Sequence, residues 1–140
     1  MDLNAPISTI MSTDLLTVLP TDKLQMVKEI FETNRIHHIP VVRFRQMVGL
    51  ISKTDLHHFY RGISKSKYDQ LLEKSRLNNY TAEDIMTTGI AKLSSQDRIA
   101  VAIEVFKENL FHAIPIVDDD ELVGILTTFD IISALADSDN

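Results

Sequence analysis

GLISKTD, residues 49–55, returns as GILTTFD, residues 124–130, at a spacing of 75 positions. Each reads Gly, two aliphatic residues, a hydroxyl residue, two variable residues and Asp. One such heptad means little, but two at a fixed spacing ask whether the flanking sequence is repeated too. Residues 7–59 align with 82–134 without a gap: Ile10-Met11 meets Ile85-Met86, Asp22 meets Asp97, Glu29 meets Glu104 and Phe31 meets Phe106. His37-x-Ile39-Pro40-x-Val42 meets His112-x-Ile114-Pro115-x-Val117, and Val48-Gly49 meets Val123-Gly124. A match that touches every segment is the signature of a tandem duplication.

Each copy spells the same elements in the same order. A short extended piece comes first, LLTVL (15–19) or GIAKL (89–93). Asp22 or Asp97 is then expected to open a helix and place negative charge near its N-terminus. Leu24, Val27 and Phe31 recur at i, i+3 and i+7, as do Ile99, Ala102 and Phe106, which predicts one buried stripe per helix. IPVV (39–42) and IPIV (114–117) read as short β-strands, with Pro40 and Pro115 expected at their starts, where a missing N–H is tolerated. Polar turns lead to MVGLI (47–51) and LVGIL (122–126); the run DDDE (118–121) belongs in solvent. A final helix follows each. The order is β-α-β-β-α, twice. IAVAIEVF (99–106) is apolar nearly all round, unlike LQMVKEIF (24–31), so its second face is a candidate subunit interface. The copies span 7–59 and 82–136, joined by a connector, 60–81, that is expected to be partly helical and carries Arg61, Lys65, Lys67, Lys74 and Arg76.

Bulk properties narrow the function classes. With 44% apolar residues the 140-residue chain is globular, and no apolar run approaches the ~20 residues of a membrane span. The N-terminal MDLNAPISTIM has an early Asp and no basic flank, so no secretory signal is expected and the cytoplasm is the default location. Absence of cysteine removes disulfides, thiolate metal sites and cysteine nucleophiles together. A net charge of −6 argues against broad electrostatic binding to nucleic acid. Arg43-Phe44-Arg45 and the basic connector are read as solvated surface, although Arg43, Phe44 and Arg45 stand where the second copy has Asp118, Asp119 and Asp120, an opposition that suggests pairing between subunits. His37-His38 lies in an extended segment and His57-His58 on a helix, and adjacent residues diverge in both, so no metal site is expected. No Gly-x-Ser-x-Gly, phosphate loop or dinucleotide fingerprint is present, so no enzyme is expected either.

The doubled β-α-β-β-α unit, with His-x-Ile-Pro-x-Val and then Gly-x-x-Ser/Thr-x-x-Asp in each copy, resembles the cystathionine β-synthase (CBS) domain. Two in tandem make a Bateman module. The resemblance implies an α/β fold of α+β-like character, two motifs related by a pseudo-two-fold axis. It also implies that the N-terminal segment of each copy leans on the other, leaving two clefts that commonly bind adenosine-containing ligands. Carried over by position, it assigns Ser52, Lys53, Thr54 and Asp55 to the first cleft, with backbone from Thr88, Gly89, Ile90 and Ala91 and with His37 and His38 at the mouth. The second takes Thr127 and Asp130, backbone from Thr13, Asp14, Leu15 and Leu16, and His112 and Ala113. The second departs from the first where Ala113 replaces His38 and Phe129 replaces Thr54. AMP, ADP or ATP is therefore expected in the first cleft, and nothing or an adenosyl ligand with a less anionic tail, such as S-adenosylmethionine, in the second. The implied role is regulatory: a homodimer signalling to a protein partner in trans, with no required cofactor and no membrane or nucleic-acid partner.

The residues permit plainer accounts. A glycine on each strand admits a flat base or a neighbouring backbone. Ser-x-x-Asp and Thr-x-x-Asp are also capping boxes, in which hydroxyl and carboxylate satisfy the free N–H groups of a helix start. A module with vacant clefts, acting through dimerisation and protein contacts alone, is the alternative function.

Overall fold

The computed structural model describes residues 1–60, 67–108 and 112–138, without the side chains of 60 and 67–69. The basic connector positions Arg61 and Lys65 lie outside the described residues. The chain is mixed α/β, as expected, and divides into two compact units: Leu16–Gly89, and Met1–Leu15 together with Ile90–Asn140. These cuts fall inside the sequence repeats. Each unit holds the helices and hairpin of one copy and the leading segment of the other.

The unit Leu16–Gly89 carries helix α1 (Leu24–Thr33), strands β1 (His38–Arg43) and β2 (Gln46–Ser52), and helices α2 (Lys53–Tyr60), α3 (Lys67–Asn79) and α4 (Ala82–Ile85). The second unit carries a 3-10 turn (Ile7–Thr9), α5 (Ile99–Glu108), β3 (Ala113–Asp118), β4 (Glu121–Thr127) and α6 (Thr128–Asp137). The predicted stripe on α1 is buried at Leu24, Val27 and Phe31, packing on Ile39, Val41 and Ile51 of the hairpin, Leu56 of α2 and Leu77 of α3. On α5, Ile99 and Ala102 are buried and Phe106 packs at the edge of a core of Ile7, Ile114, Ile116 and Leu126. The connector helix is fastened to its unit by Leu77, by Arg76 over the Phe59 ring at 4.7 Å and by a Lys28–Glu73 ion pair at 3.6 Å.

The first strand of each copy is shorter than expected. LLTVL is reduced to one parallel bridge, Val18 to Val41, with Val18 N–H donating to Pro40 O (3.1 Å) and Val42 N–H to Val18 O (2.9 Å). A parallel ladder grows by a donor two residues further along either strand. Those positions are Pro20 and Pro40, which have no N–H, so the pairing stops at both ends. In the second copy Leu93 bridges Ile116, and Pro115 blocks one end in the same way. At the other end Ser95 has an N–H, but it donates to Asp118 Oδ1 (3.0 Å). Pro40 and Pro115 are thus third residues of β1 and β3, not first, with the missing N–H turned to the side where the ladder ends.

Asp118, expected in solvent, is half-buried. The Ser95 hydroxyl, the Ser95 N–H and the Ser94 hydroxyl all donate to it and hold its carboxyl below the usual carboxylate range. A depressed folded-state pKa adds stability that is complete above the unfolded value and is lost as pH falls through the folded one. Asp118→Asn should therefore cost about 1 kcal/mol at pH 7. The gap to the native chain should begin to narrow as pH falls below about 4, the unfolded carboxylate value, which urea midpoints at pH 7 and pH 3 would check. An equal gap at both pH values would mean that the charge on Asp118 contributes nothing.

Asp22 and Asp97 do not lie in the first turn of a helix. Asp22 accepts from Leu19 N–H (2.7 Å) and Asp97 from Ser94 N–H (2.8 Å), closing the turns that precede α1 and α5. The helix starts are satisfied instead by the leading segments: Leu24 N–H donates to Tyr80 O, and Ile99 and Ala100 N–H to Ala5 and Leu3 O. Those segments open with turns that the β-α-β-β-α reading omits, Ile7–Thr9 and α4. Thr81 and Asp84 form a reciprocal capping box at the start of α4.

Candidate functional site

Strands β1 and β2 pair antiparallel, with His38 opposite Ser52 and a bulge at Val48 that sets Val41 opposite Gly49. The hairpin runs directly into α2, and the junction is capped reciprocally. Ser52 N–H donates to Asp55 Oδ2 (2.8 Å) and Asp55 N–H donates to Ser52 Oγ (3.0 Å). Lys53 N–H donates to His37 O (2.9 Å), which fixes the entry to β1 beside the helix start. On the far edge of β2 the leading segment of the second copy pairs through Leu50 and Thr87 (3.0 and 2.9 Å). His37, His38, Ser52, Lys53, Thr54, Asp55, Thr88 and Gly89 therefore all belong to the unit Leu16–Gly89.

Within this group His37, Lys53, Thr54, Thr88 and Gly89 are exposed, while His38, Ser52 and Asp55 are half-buried. Gly89 has φ 68, and a Cβ built on it would meet no atom within 4 Å, so the backbone here faces open space. Ile90 is buried and Ala91 exposed, and both are counted with the other unit. Asp55 Oδ1 accepts no hydrogen bond among the described residues. One carboxylate oxygen thus caps the helix and the other is left to accept from a hydroxyl donor.

The second unit repeats the pattern with one added bond. Thr127 N–H donates to Asp130 Oδ2 (2.8 Å), Asp130 N–H donates to Thr127 Oγ1 (3.2 Å), and Thr128 N–H donates to His112 O (3.0 Å). Ser12 pairs with Ile125 on the edge of β4 and its hydroxyl donates to Asp130 Oδ1 at 3.3 Å. Both oxygens of Asp130 are engaged. Thr13, Asp14 and His112 are exposed, Leu15 is half-buried, Ala113 is buried, and Leu16 is exposed but counted with the other unit. Phe129, at the position of Thr54, is 72% exposed. Ser12 was missed by sequence reasoning because its partner lies 118 residues away.

The two heptad glycines admit the Met side chain of each leading segment and, at Gly124, its backbone as well. A Cβ on Gly49 would lie 2.4 Å from Met86 Sδ, and one on Gly124 would lie 2.7 Å from Met11 Sδ and 3.1 Å from Ser12 O. The space is filled by the Met of each leading segment. The repeated Ile-Met pair at 10–11 and 85–86 was the available signal. Among the described residues no group of three or more potential metal ligands comes together, and no helix is long and apolar enough to cross a membrane.

Comparison with known proteins agrees with the duplication. The CBS domain pattern matches residues 7–62 and again 82–137. Over 126 residues the chain is 28% identical to an inosine-5'-monophosphate dehydrogenase of Thermoplasma acidophilum, covering 89% of this chain but 22% of that protein. The chain thus spans about a fifth of that relative's length, and 44% of an uncharacterized Methanocaldococcus jannaschii protein to which it is 23% identical. CBSX2, a CBS-pair protein of Arabidopsis thaliana, superposes with a TM-score of 0.80 at 22% identity, over 98% of this chain and 99% of its own. It has also been solved in complex with AMP. The CBS domain pair of protein MJ0100, in complex with 5'-methylthioadenosine and S-adenosyl-L-methionine, gives a TM-score of 0.72 at 24% identity, over 95% and 97% of the two chains. With both copies matched and the same fold in these structures, the chain belongs to the CBS domain family, as a tandem pair.

Proposed function

We propose that this CBS pair is a regulatory module that senses an adenosine-containing nucleotide and has no catalysis of its own. The observation that carries the proposal is the α2 start, where Asp55 Oδ1 is unspent, Lys53 is exposed and His37, also exposed, is bonded to Lys53 through its backbone. A ribose needs a carboxylate oxygen for its hydroxyls, and a phosphate needs helix N–H groups and cations. Ser52, Lys53, Thr54, Asp55, His37, His38, Thr88 and Gly89 would supply them for AMP, ADP or ATP. The AMP complex of CBSX2 supports this ligand class. At the second site Ser12 already holds Asp130 Oδ1, and Ala113 and Phe129 bring no charge, which favours vacancy or an adenosyl ligand with a less anionic tail. The S-adenosylmethionine complex of the MJ0100 pair gives a precedent for the latter.

Such a module acts in the cytoplasm, as a homodimer, on a protein partner in trans. Ligand can alter what the partner meets only to the extent that it binds two conformations with different affinity. A second reading, an interaction module with vacant sites, is favoured by α6, whose Phe129, Ile132 and Leu135 form an exposed apolar stripe. The apolar second face of α5 would add to a subunit interface there. Thermal unfolding with AMP, ADP, ATP, S-adenosylmethionine and cyclic di-AMP, each in large excess, separates the two. A raised midpoint with an adenosine nucleotide is the expected result, and no shift with any of them would leave the interaction module.

A further inference from the structure

The hairpin of β1 and β2 ends in a two-residue loop, Phe44-Arg45, with both residues at positive φ, 52 and 67. Such loops are suited by Asn, Asp and Gly, and a bulky side chain in the left-handed region is strained. Phe44 is moreover 90% exposed, so neither the turn nor the core gains from its ring. A local rule broken without benefit to the fold points to a residue retained for a contact outside it. A second apolar side chain stands at the same end of the hairpin. Val18 runs parallel to β1 beside Val41 and Val42, which carries Leu19, 54% exposed, toward the loop. Arg43 and Arg45 are exposed on either side of Phe44.

The net charge of −6 hides where the cations are. The unit Leu16–Gly89 holds eleven Lys and Arg against eight Asp and Glu, a net of +3. The rest of the chain holds three against twelve, a net of −9. Such an asymmetry between halves points to an anionic partner for the basic one. That partner must bury a ring and an aliphatic side chain and neutralise the arginines beside them. Single-stranded nucleic acid offers stacking and phosphates, but nothing for Leu19, which has no flat face. A bilayer with anionic lipids offers both in layers, charge at the surface and apolar chains beneath it. We propose that the Phe44 hairpin tip docks on an anionic lipid surface. Phe44 and Leu19 enter the boundary between headgroups and acyl chains, and Arg43 and Arg45 stay at the level of the phosphates. Two shallow anchors and two cations give a reversible contact that weakens with salt. It needs no membrane span, and the charge of the whole chain averages it away, which is why no membrane partner was expected. It does not depend on the nucleotide reading, since no residue of the α2 start takes part.

Co-sedimentation of the full chain with vesicles tests it, phosphatidylcholine alone against phosphatidylcholine and phosphatidylserine in equal parts. The native chain should favour the anionic vesicles, and less so as salt is raised. Phe44→Asn places a residue that suits the loop, so the thermal midpoint should stay or rise while vesicle affinity falls roughly tenfold. Arg43→Gln/Arg45→Gln should lower it roughly thirtyfold and remove most of the salt dependence. Arg35→Gln, which removes an exposed charge ahead of β1, away from the tip, should change little. The chain has no tryptophan, so Phe44→Trp reports on the tip alone. Its emission should shift to the blue on anionic vesicles and be quenched by brominated acyl chains. A native chain that sediments with neither vesicle, or equally with both, overturns the proposal. So does unchanged affinity in Phe44→Asn, or unshifted emission from a folded Phe44→Trp chain. Binding of a single-stranded uridine oligonucleotide that Phe44→Asn abolishes, with the vesicles ignored, would overturn it in favour of nucleic acid.

Discussion

Gly49→Val should destabilise the protein by about 2–3 kcal/mol, and Met86→Ala should restore part of that loss. The new Cβ would sit 2.4 Å from Met86 Sδ, 2.7 Å from its Cγ and 3.0 Å from its Cβ. A thioether end can swing aside, but the Met86 Cβ moves only with its backbone. That backbone is anchored one residue later by the Leu50–Thr87 pair (3.0 and 2.9 Å). Valine's preference for strands offsets only a fraction of this clash. Met86→Ala by itself loses packing, so the double variant should be more stable than the sum of the two single effects by about 1–2 kcal/mol. Urea unfolding of the four chains gives the coupling directly. Simple additivity would show that Met86 is not what the glycine accommodates. Rescue of Gly124→Val by Met11→Ala should be weaker, because Ser12 O also lies 3.1 Å from the added Cβ and cannot be trimmed.

That contact marks the boundary of what the sequence discloses. The duplication was legible because the repeats align without a gap, and with it came helix positions, hairpins and the buried stripes of Leu24, Val27 and Phe31. These depend on periodicity within a few residues. The capping boxes at Ser52 and Thr127 were legible for the same reason, as a spacing of three. Thr81-x-x-Asp84 has that spacing too, but α4 is only four residues long and offers no apolar period beside it. Length, not chemistry, hid it.

The remaining surprises come from competition for backbone donors. LLTVL has the composition of a strand, yet Pro20 and Pro40 withhold the two N–H groups that would extend it. Strand propensity describes one segment, whereas a ladder needs donors from both. Asp22, Asp97 and Asp118 likewise read as generic acids near helices and turns. Each is committed to particular N–H or O–H groups, so the charge acts locally. Ser12 on Asp130 belongs to the same class, and it makes the two candidate sites unequal in a way that alignment of the heptads alone conceals.

That inequality predicts the largest functional effect. AMP at about 100 times its dissociation constant should stabilise the native chain by about 2.7 kcal/mol, a shift in midpoint on the order of 10 °C. Asp55→Ala should abolish the shift, whereas Asp130→Ala should leave most of it. Both variants lose a capping carboxylate, at about 1 kcal/mol each, so the ligand effect is read against each variant's own unliganded midpoint. The expected difference follows from the oxygens. Asp55 Oδ1 can accept a ribose hydroxyl without breaking a bond among the described residues, but at Asp130 the Ser12 hydroxyl, at 3.3 Å, must first be displaced. Ser12→Ala should then lift that restraint while leaving the Thr127–Asp130 cap intact. If Asp55→Ala and Asp130→Ala lose AMP stabilisation equally, the two sites act alike and Ser12 does not distinguish them. If neither loses it, the carboxylates serve the helices alone, and the nucleotide binds elsewhere.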